Sequence, residues 1–136
     1  MAAGLPVEGT KATVPTVGSL ARRGVPTCTL DERVGNVWSR VRATDWDQCV
    51  VLNDHNVVLG RLRSTMLEGS PDATAEQVME SGPVTYRPHE VAQEAARKLA
   101  ERHVRSVLVT TADGELMGAF RAEDASDAAP RKIGAG

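Results

Sequence analysis

Apolar residues recur at helical spacing in two stretches of this sequence. They lie three and four positions apart from Val34 to Val41, and again from Val91 to Leu99. This period places them on one face of an amphipathic helix. Each stretch is followed by two short apolar runs with a turn between them, which is typical of a β-hairpin. The pattern therefore predicts a helix followed by a hairpin, twice.

A single offset superposes the two halves without a gap. Gly60 and Gly118 lie 58 positions apart. Other identical pairs at this offset are Thr16/Thr74, Gly24/Gly82, Thr27/Thr85, Glu32/Glu90, Val51/Val109 and Arg63/Arg121. Apolar positions coincide as well, for example Val50 with Leu108. Such agreement indicates one supersecondary unit used twice.

The repeated unit is predicted to be β-α-β-β-α with a short helical lead-in. Thr74 and Gln77 form a capping-box pattern in the second lead-in, and Asp31 is the predicted N-cap of the first long helix. One copy is too small to cover both faces of its sheet, so the two copies are predicted to pack sheet to sheet with the helices outside. The predicted fold is α+β, with two exchanged segments and a pseudo-twofold axis.

The predicted repeats occupy residues 14–69 and 70–127. The flanking segments 1–13 and 128–136 are rich in small residues and lack apolar periodicity, so they are predicted to be a flexible N-terminus and a flexible C-terminal tail.

Composition restricts the function classes. Hydrophobic residues make up 41% of the chain and aromatic residues only 3%, which predicts an aliphatic core. A net charge of −2 provides no basic field, which argues against nucleic acid as the main partner. The sequence has no run of about 20 apolar residues and no signal-peptide pattern, so we expect a cytoplasmic protein without a membrane segment.

No catalytic or metal-binding pattern is present. Cys28 and Cys49 are far from CxxC spacing and are predicted to be buried thiols. His55, His89 and His103 lack the spacing of metal ligands. No paired nucleophile and base, phosphate loop or HExxH motif occurs. We therefore expect a protein that is not an enzyme, with no catalytic residue and no metal site.

One acid stands out. Gly118 closes a predicted strand, and Asp124 begins the next predicted helix. A carboxylate there would lie at the mouth of a cleft, where it could hold the hydroxyls of a ribose. The first repeat has Met66 at the equivalent position. The alternative is that Asp124 only complements the helix macrodipole.

These features resemble a tandem pair of CBS domains, often called a Bateman module, in a small stand-alone protein. The resemblance covers about residues 14–127. It is carried by the lead-in Thr74–Met79, the segment Pro88–Val91 and the strand-turn-strand that ends in Gly118-x-x-x-x-x-Asp124. It implies two clefts for adenine-containing ligands such as AMP, ADP, ATP or S-adenosylmethionine, with no cofactor required. It also implies a homodimer that regulates an unidentified partner protein.

The resemblance assigns roles to individual positions. Asp124 falls on the ribose-binding acid, whereas Arg121 and Arg63 depart from the family's Ser or Thr, and Met66 departs from the acid of the first repeat. Leu108 stands where the family often has proline. The remaining expected ligand-binding residues are Arg105 and Ser106 near the phosphate, and Val25, Thr27 and Thr85 beside the adenine.

Two alternatives stay open from the sequence. Arg121 could grip a phosphate, or it could pair with Asp124 or Glu123 and block the cleft. The whole chain could sense an adenine nucleotide, or it could be a protein-interaction or scaffold module whose degenerate clefts bind nothing. A weaker third possibility is another anion, such as a cyclic or hyperphosphorylated nucleotide, held by Arg63, Arg105 and Arg121.

Overall fold

The computed structural model describes residues 14–128 of the chain, with side chains as far as residue 125. Its elements, in chain order, are α1 (Val17–Leu20), β1 (Thr27–Cys28), α2 (Val34–Val41), β2 (Gln48–Leu52), β3 (Val58–Arg63), α3 (Ser64–Leu67), α4 (Ala75–Val78), β4 (Glu80–Ser81), β5 (Thr85–Tyr86), α5 (Ala92–Glu101), β6 (Ser106–Thr110), β7 (Leu116–Arg121) and α6 (Ala122–Ala128). The predicted flexible segments lie outside the described residues, apart from the last residue of α6. The boundaries at 14–69 and 70–127 stay predictions.

The strands form two sheets that exchange their lead-in segments. One sheet has the order β1-β2-β3-β4 and the other β5-β6-β7. Strand β4 follows the second lead-in helix yet pairs with β3, with Arg61 opposite Glu80. Reciprocally, Arg22 follows the first lead-in helix and forms a two-way backbone bridge with Ala119 of β7, at 2.8 and 3.0 Å. The predicted exchange of two segments is thereby confirmed.

The two hairpin turns meet on the pseudo-twofold axis. Val58 N donates to Gly114 O at 3.0 Å, and Leu116 N donates to Asn56 O at 3.0 Å. Asn56 and Gly114 occupy equivalent turn positions, and both have a positive φ, of 68° and 89°. Only residues that tolerate the left-handed region fit such a turn. The symmetry expected from the constant offset is therefore visible in backbone hydrogen bonds.

Each repeat has its own apolar core, which in the second repeat includes the aromatic residues Tyr86 and Phe120, and a third cluster lies between them. Phe120 and Val109 are fully buried in the second-repeat core. The inter-repeat cluster consists of Val25, Val50, Leu108 and Ala119, with Trp46 among the partly buried residues packed on it. The two sheets therefore face one another, as predicted.

Local capping agrees with the sequence in one place and not in another. Thr74 N donates to Gln77 Oε1 at 2.9 Å, as the capping-box pattern predicts. The prediction that Asp31 caps the first long helix is wrong. That helix begins at Val34 after Arg33, and Asp31 Oδ1 instead accepts a hydrogen bond from the Thr29 hydroxyl at 2.7 Å. This local turn stabilises the loop that precedes the helix.

Candidate ligand cleft

Asp124 lies at the seam between the two repeats. Its side chain is only 13% exposed. Arg22, from the exchanged first lead-in, forms a bidentate ion pair with it: Nε donates to Oδ2 at 2.8 Å and Nη2 donates to Oδ1 at 2.7 Å. The backbone bridge between Arg22 and Ala119 holds the two side chains in register. One repeat thus supplies the acid and the other its cation.

The ion pair keeps Asp124 ionised, and the carboxylate can still accept further hydrogen bonds. The hydrogen bonds from Arg22 hold the pKa of this carboxyl below its ordinary value, with a smaller contribution from Arg121, and burial opposes them. Arg22 is 46% exposed, so the pair is worth only about 0–1 kcal/mol. A carboxylate has about four lone-pair sites, of which Arg22 uses two. A further donor can therefore reach Asp124, or displace Arg22 at little cost.

Arg121 lies on an aromatic ring. Its guanidinium carbon is 4.6 Å from the centre of the Trp46 ring, a distance suited to cation–π stacking. Among the described side chains, Arg121 forms no ion pair with Asp124 or Glu123. Stacking on Trp46 leaves the edge of the guanidinium available to an anion.

Arg121 lines a depression of about 590 Å³. Both repeats contribute to its lining, which consists of Asp45, Asp47, Gln48, Ala100, His103, Val104, Arg105, Ser106, Arg121, Ala122 and Glu123. Asp124 is not part of this lining, although it directly follows Glu123 in sequence. The volume is of the size that small-molecule ligands occupy.

The first repeat carries a different set of charges at the equivalent positions. Glu80, the counterpart of Arg22, accepts from Arg63 Nε at 3.1 Å and lies 3.5 Å from Arg61 Nη2. Met66, the counterpart of Asp124, packs against the first-repeat core. This side has no acid at the helix start, and two arginines surround the acid on the exchanged strand.

The structure brings some predicted site residues together and separates others. Arg105, Ser106 and Arg121 line the larger depression, and Arg105 and Ser106 also line the second one together with Arg63. Asp124 lines neither. The remaining three predicted residues are Val25, Thr27 and Thr85. Of these, the first is buried in the inter-repeat cluster, the second is exposed, and the third lines a separate depression beside the hairpin turn.

Four residues of the clefts were not assigned from the sequence. No sequence pattern singles out Arg22, Glu80 or Arg61, and the position of Trp46 after Thr44-Asp45 fits either the cleft edge or a dimer face. The 58-residue offset contains the missing signal, because it pairs Arg22 with Glu80 and Arg61 with Ala119. Changes of charge at otherwise matching positions mark where the two clefts differ.

Other candidate chemistry is limited in the part of the chain that the structure describes. Cys28 and Cys49 are buried and carry no disulfide, as expected for structural thiols. Residues 14–128 contain no cluster of three His, Cys, Asp or Glu side chains that could hold a metal. Within the same range, none of the helices has the length and apolar character needed to cross a membrane.

Comparisons with known proteins bear on the fold. The cytosolic domain of the Mg²⁺ channel MgtE in complex with ATP has a TM-score of 0.76 at 19% identity, over 83% of this chain and 48% of that one. CBSX2 in complex with AMP has a TM-score of 0.75 at 20% identity, over 87% and 98% of the two chains.

A third similar structure is the CBS domain pair of protein MJ0100 in complex with 5-methylthioadenosine and S-adenosyl-L-methionine. It has a TM-score of 0.72 at 15% identity, over 84% of this chain and 94% of that one. At these identities the likeness shows the fold. No curated protein sequence matches the chain.

The family comparison covers the second half of the chain. Residues 75–131 match the sequence model of the CBS domain. This segment includes the hairpin that ends in Gly118 and the helix start at Asp124, which are the motifs that suggested the family. The second half of the chain therefore resembles a CBS domain in sequence, and the described residues have the fold of a CBS domain pair.

Proposed function

We propose that this protein senses an adenine nucleotide in the cleft of the second repeat. The observation that carries the proposal is the position of Asp124, which is ionised, 87% buried by side-chain area and held at the seam by Arg22. A charge-assisted hydrogen bond from a ribose diol to such a carboxylate is strong and directional. AMP, ATP and S-adenosyl-L-methionine are the ligands of the similar structures, which supports this chemical class.

Arg121 and Arg105 face the phosphate in this proposal. Arg121 is positioned by Trp46, and both arginines line the 590 Å³ depression. Asp45, Asp47 and Glu123 border the same space, so the phosphate must lie close to the guanidinium groups. Short phosphate chains are therefore favoured over long ones.

The signal arises from the exchange of segments. The acid comes from the second repeat and Arg22 from the first, so a ribose that competes with Arg22 changes a contact between repeats. A ligand shifts the arrangement of the repeats only by its difference in affinity for the two arrangements. We propose that a protein partner reads this change, in a cytoplasmic homodimer without catalytic activity.

Isothermal titration calorimetry with AMP, ADP, ATP and S-adenosylmethionine tests the proposal. We expect saturable binding of at least one ligand, and a loss of about tenfold or more in Asp124→Asn, since a charge-assisted hydrogen bond becomes a neutral one. Met66→Leu, a nearly volume-conserving change at the equivalent position of the other cleft, is the matched control and should bind normally.

The scaffold alternative has two observations in its favour. Both oxygens of Asp124 already accept hydrogen bonds from Arg22, and the other cleft has no equivalent acid. If none of the four ligands binds the wild-type protein, the second cleft is closed by its own ion pair. The chain would then act as a protein-interaction module.

A further inference from the structure

The cleft of the first repeat contains a buried arginine that has no counterpart in the other cleft. Arg61 lies on β3, and its side chain is 8% exposed. Its Nε is buried and has no hydrogen-bond partner among the described residues. Its Nη2 reaches Glu80 Oε1 only at 3.5 Å, the outer limit of a hydrogen bond. The equivalent residue in the second repeat is Ala119, within the apolar inter-repeat cluster.

A buried and incompletely paired guanidinium is unusual. Leaving a buried charged donor without an acceptor destabilises a protein, so such groups are normally paired. Burial lowers the pKa of Arg61, neighbouring Arg63 lowers it further, and the attraction of Glu80 opposes both. Glu80 is also shared, because Arg63 donates to the same oxygen at 3.1 Å. One carboxylate oxygen therefore serves two arginines.

Two adjoining depressions open onto these arginines. They have volumes of about 340 and 210 Å³ and share four lining residues, Arg61, Arg63, Val104 and Ser106. Additional arginines border them: Arg105, which also lines the 590 Å³ depression, in the first and Arg102 in the second.

The charge of this lining is positive. Four arginines border the two depressions, whereas the only acids in the lining are Asp47 and Glu80. The hydroxyl-bearing residues Ser64 and Thr65 add polar groups at the start of α3. The surroundings therefore favour an anion with several oxygens.

The absence of an acid at Met66 restricts the class of ligand. A nucleoside held through its ribose diol finds no carboxylate at the helix start on this side, because Met66 stands there as part of the apolar packing. Arg61 is also a long buried side chain at the position where the second repeat has only the methyl group of Ala119. Both features favour a compact anion over a nucleoside.

We propose that the first-repeat cleft binds a small phosphate-bearing anion, with Arg61 and Arg63 as its ligands. The phosphate takes the place of the Glu80 carboxylate, which occupies these arginines in the absence of a ligand. This site goes beyond the proposed nucleotide sensor, because it requires neither Asp124 nor a ribose.

Calorimetric titration of the full chain with sodium pyrophosphate, repeated by ³¹P NMR, tests the site. We expect saturable binding that falls about tenfold or more in Arg61→Ala. This variant places at position 61 the residue that the second repeat has at position 119, so we expect it to fold, and circular dichroism checks that. Arg97→Ala removes an exposed arginine of α5 and is the charge-matched control, which should bind pyrophosphate normally.

A second variant tests the role of Glu80 through the sign of its effect. Glu80→Gln removes the internal competitor and should increase pyrophosphate affinity several-fold. If pyrophosphate does not bind, if Arg61→Ala binds as tightly as the wild type, or if Glu80→Gln weakens binding, the proposal is overturned.

A third variant separates this site from the nucleotide cleft. Asp124→Asn should leave pyrophosphate affinity within about twofold while it lowers nucleotide affinity about tenfold or more. Loss of pyrophosphate binding in Asp124→Asn, together with normal binding in Arg61→Ala, would assign the phosphate to the nucleotide cleft. That result would reject the first-repeat site and leave the proposed sensor intact.

Discussion

The two clefts of this protein are built on equivalent backbone positions but differ in the sign of their charges. In the second-repeat cleft the exchanged segment supplies a cation, Arg22, and the helix start supplies an acid, Asp124. In the first-repeat cleft the exchanged segment supplies the acid Glu80, and the strand supplies Arg61 and Arg63. Each exchanged segment pairs with its strand through the same register, so the difference lies in the side chains.

The outer surface did not change in this way. Glu32 pairs with Arg40 at 2.8 Å, and the equivalent Glu90 pairs with Lys98 at 3.8 Å. In both outer pairs the acid and the base keep their positions. At the seam, by contrast, the exchanged segment supplies a base to one cleft and an acid to the other. The difference teaches that a duplicated backbone can carry two binding chemistries, provided that each buried charge changes together with its partner.

The largest expected effect comes from placing the first-repeat arginine in the second repeat. Ala119→Arg would bury a cation beside Arg22, with no acid at the position that Glu80 occupies in the other cleft. We expect destabilisation of about 3–5 kcal/mol, as for an uncompensated buried charge. Urea denaturation measures it.

The partner change supplies the control for this experiment. Arg22→Glu in the Ala119→Arg background recreates the pairing of Arg61 with Glu80 and should recover part of the lost stability. A stable Ala119→Arg protein, or a double variant no more stable than the single one, would show that charge pairing does not distinguish the clefts.

The two motif glycines should differ in their tolerance of a methyl group. An added Cβ at Gly118 would lie 2.5 Å from the Arg22 carbonyl oxygen, which is fixed backbone. At Gly60 the closest atoms belong to the flexible Met79 side chain, and the Glu80 carbonyl oxygen is 3.0 Å away. We expect Gly118→Ala to destabilise the protein by about 1–3 kcal/mol and Gly60→Ala by less.

Thermal and urea denaturation of both variants compare the two glycines. Neither glycine has a positive φ, so the alanine tests the close contact alone. Equal destabilisation would mean that Met79 cannot move aside.

The fold was predictable because its determinants repeat along the chain. The helical period from Val34 to Val41 and the constant offset between Gly60 and Gly118 define the unit and its duplication. The start of α2 was not predictable, because Thr29 and Asp31 form a local turn that competes with the capping role. Short polar side chains near a helix start suit both arrangements, and tertiary packing selects one.

The candidate site was predictable only in part. Asp124 was found because an acid at a helix start has local sequence context. Arg22 lies 102 positions away in sequence, and its pairing with Asp124 depends on the segment exchange. Arg61 looks like an ordinary alternating strand residue until its partner strand is known. Contacts that arise from the exchange leave no local pattern.

The Arg22–Asp124 pair should make a pH-dependent contribution to stability. Because the pKa of Asp124 is lowered in the folded state, the contribution is present above the unfolded value of about 3.9 and is lost as the pH falls through the folded value. We expect Asp124→Asn to be less stable than the wild type by up to about 1 kcal/mol at pH 5–7.

Urea denaturation from pH 7 to pH 2.5 measures this difference. It should disappear at the acidic end and shrink in 1 M NaCl, as screening of a half-exposed pair requires. A difference that persists at pH 2.5 would assign the effect to packing.

The smallest expected effects concern the two outer ion pairs, in which acid and base keep the same positions in both repeats. Double-mutant cycles to alanine should give a coupling energy of about 0.5 kcal/mol for Glu32 with Arg40, and less for Glu90 with Lys98. The first pair is shorter, and Arg40 is also held by a hydrogen bond to the Thr27 carbonyl oxygen at 3.1 Å. If the Glu90–Lys98 pair had the larger coupling energy, the distance between the charged groups would not determine the energies of these pairs. The seam would then need the same direct measurement before its ion pairs could be ranked by geometry.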